Sequence, residues 1–173
     1  MISSENKSTV LAKMSLQKKI RIWISLFILG LFISGITAIP LDWEMGLISQ
    51  YLGAGTAMES YFPDLSYWID RISTGLSETY AKYPFIAYGT DWLAFAHVVL
   101  AILFFGPLKD PVKNIWVIDF GIICCVLVVP FAVIFGQIRD IPYLWTMIDS
   151  SFGILGIIPL LLVRSYIKKL EQF

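Results

Sequence analysis

Four apolar runs, each long enough to cross a bilayer, constrain this chain more than any other feature. They cover residues 22–41, 88–105, 113–136 and 143–163. A helix of about 20 apolar residues spans the roughly 30 Å of hydrocarbon in a membrane. No other regular structure satisfies its backbone hydrogen bonds there, short of a closed barrel. Composition agrees: 57% of the residues are hydrophobic and 15% are charged, where soluble domains run nearer half and a quarter. The expected fold is therefore all-α, an integral membrane bundle of four transmembrane helices forming one domain, 1–173.

The run Tyr88 to Gly106 carries the only histidine, His97. An ionisable group inside a span is costly and marks a candidate site by default.

The first span follows a basic leader with Lys7, Lys13, Lys18, Lys19 and Arg21. A cleaved signal peptide ending at Ala38 is the rival reading, but the apolar run exceeds a usual signal core. Gly30, Ser34 and Thr37 share one face of this span and read as a close-packing stripe.

Residues 42–87 leave the bilayer without being long enough for a confident separate domain. Leu65, Ile69, Ile72, Leu76 and Tyr80 recur at helical spacing, with Asp64 placed as N-cap and Pro84 as stop. An amphipathic helix on the outer side is expected, those residues covered and Ser66, Asp70 and Ser77 exposed. A shorter helix over Met45 to Tyr51 should end at Gly53-Ala54-Gly55. Asp110-Pro111 reads as a cap followed by the first residue of the third helix, which Pro130 should kink.

Charge decides the orientation. With the N-terminus inside, that side holds ten basic residues: Lys7, Lys13, Lys18, Lys19, Arg21, Lys109, Lys113, Arg164, Lys168 and Lys169. The other side holds three, Arg71, Lys82 and Arg139. This is the positive-inside pattern. It places the chain as a multi-pass protein of the cell (inner or plasma) membrane with both termini cytoplasmic. Trp43, Trp92 and Trp145 then mark the outer interface, Trp23 and Trp116 the inner one.

His97 lies five residues past Trp92, and Asp149 four past Trp145, so both sit at one depth below the outer belt. Small residues flank each on its own face: Ala94 and Ala101 beside His97, Gly153 and Gly156 beside Asp149. A His97–Asp149 contact would serve as a proton relay, an acid–base pair or a register-fixing hydrogen bond. His97, Asp149 and Asp91 are the catalytic candidates, and Asp42, Glu44 and Arg139 the ligand-binding ones. Asp91 and Asp140 read first as solvated helix caps. Asp119, near the opposite end, should pair with Lys109 or Lys113 or snorkel to water.

Other chemistries are excluded. One histidine rules out bis-histidine haem, and Met147 makes a poor second ligand. Scattered carboxylates do not supply the three or four ligands zinc needs. Cys124 and Cys125 are adjacent and cannot easily bridge. No Gly-rich phosphate loop, serine nucleophile motif or CxxC occurs. No cofactor and no metal is expected.

Equal numbers of acidic and basic residues, 13 each, give no reason to expect nucleic acid. The partners implied are the lipid bilayer, another membrane protein or a second copy, and a hydrophobic small molecule. The leading reading is a non-enzymatic membrane component: a subunit, scaffold or assembly partner. The alternative is a small integral enzyme or lipid-binding protein built on His97 and Asp149. A proton-coupled transporter comes third.

Overall fold

The computed structural model describes residues 4–173, and every regular element among them is helical. In chain order these are α1 (Ser4–Thr37), α2 (Leu41–Leu52), α3 (Pro63–Lys82), a 3₁₀ turn (Pro84–Ala87), α4 (Tyr88–Leu103), α5 (Phe105–Lys109), α6 (Ile115–Ile138) and α7 (Tyr143–Leu170). Four stretches are long and apolar enough to cross a membrane: Lys7–Thr37, Pro84–Lys109, Ile115–Ile138 and Tyr143–Leu170. The expected all-α bundle of four membrane helices is the architecture found.

Element ends differ from expectation for identifiable reasons. α1 starts at Ser4, well before Ile22. The leader Val10-Leu-Ala-Lys-Met-Ser-Leu-Gln-Lys-Lys19 contains no Gly or Pro and is rich in strong helix formers. The same helix stops at Thr37, because Pro40 disfavours helical backbone in the residue before it. Pro40 then accepts the first bond of α2, from Glu44 N.

Two expected caps are replaced. Asp64 is not the N-cap of α3: Pro63 is already helical and Phe62 occupies the cap position. Proline suits the first turn, where its missing N–H costs nothing. Asp110 does not cap α6 either. Its Oδ1 accepts from Lys113 N in a tight turn, Asn114 bonds back to the Gly106 and Asp110 carbonyls, and α6 starts at Ile115. Gly106 and Pro107, just past the expected second span, lie inside α5, since proline is again tolerated in a first turn. α6 runs through Pro130, and α7 through Pro159, as unbroken helical segments.

Close contacts reveal the packing. On α6 and α7, Gly121 faces Leu160, Gly153 faces the Cys125 carbonyl and Gly136 faces Thr146. One number rises as the other falls, so the two helices are antiparallel. By the same logic α1 is antiparallel to α4, through Phe27–Phe104 and Gly35–His97. It is also antiparallel to α7, through Phe27–Gly156 and Lys19–Tyr166. α1 therefore packs on both α4 and α7, and α7 on α6.

The core sits toward the end that carries both termini. Ile20 and Ile24 of α1 meet Val117 and Ile118 of α6 and Leu160, Val163 and Ile167 of α7, all fully buried, with Phe104 beside them. At the opposite end the helices meet mainly through glycine, alanine, threonine and serine. Gly35 replaces the expected stripe as the close-packing residue of α1. A Cβ at Gly35 would stand 2.9 Å from His97 Cβ, whereas one at Gly30 would meet nothing within 4 Å.

Candidate functional site

α4 places His97 on the face it turns to α1. Ala94 and Ala101 on that face are 3% exposed, so the expectation that this face meets a helix holds, and the helix is α1. The imidazole turns back on its own helix. Its Nδ1 is 2.8 Å from the Leu93 carbonyl. A carbonyl only accepts, so Nδ1 is the donor in this contact.

Asp149 stands at the same level. Phe27 of α1 is opposite both Phe104 and Gly156. Moving seven or eight residues along the antiparallel helices reaches Ser34–Gly35, Asp149 and His97 together. The two residues therefore share a level along the bundle. Among the described residues no hydrogen bond or ion pair joins His97 to Asp149. His97 packs on Gly35 of α1 at that level. Next to Asp149, Ser150 is buried and donates to the Thr146 carbonyl.

The remaining candidates occupy helix ends. Asp91 lies in the first turn of α4, and Asp42 and Glu44 in the first turn of α2. There a negative charge complements the positive end of the helix dipole. Arg139 is the C-cap of α6 and is exposed. Asp140 follows in left-handed backbone, φ 53°. Its N–H bonds the Gln137 carbonyl and that of Ile141 bonds Gly136, a Schellman closure with Asp where glycine is usual. Among the described residues no ion pair or side-chain hydrogen bond gathers these groups into one site.

Two constellations emerge that sequence reasoning placed differently. Asp119 pairs with Arg164 of α7, Oδ1 to Nε at 2.5 Å, and not with Lys109 or Lys113. Both residues lie just inside the terminal end of antiparallel neighbours. The depth comparison applied to His97 and Asp149 would have found them.

The second joins α2 to α3. Asp70 accepts from Ser49 Oγ at 2.6 Å and from Ala54 N at 2.8 Å. Ser66, fully buried, donates to the Leu52 carbonyl at 2.8 Å. Ser66 and Asp70 were expected in solvent and instead form the seam between two helices. A glycine is needed at Gly53, because a Cβ would fall 2.5 Å from the Ser49 carbonyl oxygen as well as 2.0 Å from Asp70 Oδ1. Leu65, Ile69, Ile72, Leu76 and Tyr80 are at least partly covered, and Ser77 is exposed, as the spacing implied.

Two grooves of about 320 Å³ each are present. One runs along the terminal end of α7, and the other lies between Met58, Phe62, Leu65 and the start of α7; neither is lined by His97 or Asp149. Among the described residues no three His, Cys, Asp or Glu side chains converge as metal ligands. Comparison with protein-family models, with curated proteins and with solved structures finds nothing that matches this chain.

Proposed function

We propose that this chain is a non-enzymatic component of a membrane assembly, a subunit or scaffold with both termini cytoplasmic and α2–α3 outside. The observation that carries the reading is the α2–α3 unit itself. Asp70 and Ser66 lock the two helices together, and the locked unit presents Tyr51, Tyr61 and Tyr67 with 65–79% of their surface free. Exposed aromatics on a preorganised support are what an interface core uses. The polar groups within the spans are consistent with this role. His97 bonds its own helix and Asp119 bonds Arg164, so both serve the bundle.

Orientation is tested by labelling single cysteines at Ser77 and Ser165, both exposed, after Cys124 and Cys125 are replaced by alanine. Ser77 should label from outside intact cells and Ser165 only after permeabilisation. The assembly is tested by native electrophoresis of gently solubilised membranes. The chain should run within a larger complex that Tyr61→Ser with Tyr67→Ser dissolves and His97→Ala leaves intact. A monomer throughout, with cellular function lost in His97→Ala or Asp149→Asn, would replace this reading by the enzyme or ligand-binding one.

A further inference from the structure

α7 runs to Leu170, seven residues past the end of the apolar run that defined its span. Over this extension its two sides differ sharply. Leu160, Val163, Ile167 and Leu170 are buried against the bundle. Leu161, Arg164, Ser165, Lys168, Lys169 and Gln172 line a groove of about 320 Å³ on the other side. At 100° per residue these positions centre nearly opposite the buried face, so the groove looks outward to lipid.

Its chemistry is graded along the helix axis. Leu161 lies toward the span, and the cations Arg164, Lys168 and Lys169 lie toward the end of the helix. Arg164 is held: Asp119 of α6 engages its Nε, which fixes the plane of the guanidinium and leaves the donors on its two terminal nitrogens. A planar fork held in this way suits a phosphate's oxygens. Lys168 and Lys169 also complement the negative end of the α7 dipole. The dipole accounts for two lysines in a last turn, and Asp119 holds the arginine at the edge of the groove.

We propose that this groove binds an anionic phospholipid, its phosphate held by Arg164, Lys168 and Lys169 and its acyl chains running along Leu161. Basic residues at the cytoplasmic edge of a span are where anionic headgroups concentrate. Each such residue strengthens binding about fivefold, so losing two weakens it about 30-fold.

The test uses the purified full chain in detergent and native mass spectrometry of lipid adducts. Phosphatidylglycerol and phosphatidylcholine with identical acyl chains are compared, for wild type, for Lys168→Gln/Lys169→Gln and for the control Lys13→Gln/Lys18→Gln. Phosphatidylglycerol should bind in preference to phosphatidylcholine. The groove variant should lose about 30-fold at unchanged lipid-free thermal stability, and the control variant should bind as wild type. Equal retention of the two lipids, or equal loss in both variants, overturns the proposal. Displacement of phosphatidylglycerol by millimolar inorganic phosphate overturns it too, since the site would then take a soluble anion.

Discussion

Adding one methyl group at Gly153 should separate two helices. A Cβ built there stands 2.4 Å from the Cys125 carbonyl oxygen and 3.1 Å from Val128 Cβ. Ordinary contact begins at 3.4 Å, so the backbone of α6 or α7 must move by about 1 Å. The obstructing atom is main chain and has no rotamer to escape into. Overpacking of this kind costs about 1–3 kcal/mol. Alanine in place of glycine within a helix returns about 1 kcal/mol of propensity, so the substitution alone is ambiguous. Gly30→Ala resolves it, because that Cβ meets nothing within 4 Å and the propensity gain is the same. The difference between the two variants isolates packing and should be about 1–3 kcal/mol. Both are measured in one detergent at one heating rate, since membrane proteins commonly unfold irreversibly and the apparent Tm depends on scan rate. For a chain of this size each kcal/mol is about 2–4 °C. Gly153→Ala should therefore melt several degrees below Gly30→Ala. Equal melting would mean that α6 and α7 do not approach as closely as described.

Asp70→Asn keeps one acceptor oxygen but offers an amide nitrogen where Ser49 or Ala54 donates; the α2–α3 seam should weaken by about 1–2 kcal/mol, read as faster proteolysis near Ala54–Gly55 with the spans intact. Asp119→Asn should lower stability by no more than about 1 kcal/mol, because side chains 37% and 41% exposed are screened. Swapping the pair, Asp119→Arg with Arg164→Asp, should recover part of what the single Asp119→Arg change loses; no recovery would refute the pairing. His97→Ala and Asp149→Asn should add in stability within about 0.5 kcal/mol, and a larger coupling would mean the two groups meet after all.

Depth was legible in the sequence, and neighbours were not. Apolar run length and tryptophan position fix how far along the membrane normal a residue lies, since a helix advances a constant 1.5 Å per residue. That is why His97 and Asp149 do fall level. Which helix each one faces depends on rotation and on the order of packing, and both follow from where backbones approach closely. Gly35 marks such an approach, but so on paper did Gly30. Small residues license contact without assigning a partner. The same limit put Asp119 with lysines nearby in sequence instead of with Arg164, 45 residues on.

The α2–α3 seam shows a different limit. The periodicity of apolar residues alone reveals the face carrying Leu65, Ile72 and Leu76 and leaves Ser66 and Asp70 to water. A polar side chain is drawn to water only until another partner supplies its hydrogen bonds. Here Leu52, having ended its helix, offers a bare carbonyl, and Ala54 offers a bare N–H. Those groups exist because Gly53 stops α2 where it does. Breaking a helix creates orphan donors and acceptors, and polar residues on the next helix are the ones able to satisfy them. The glycine and the aspartate are therefore one feature of the sequence, separated by 17 positions and joined only by the turn between them.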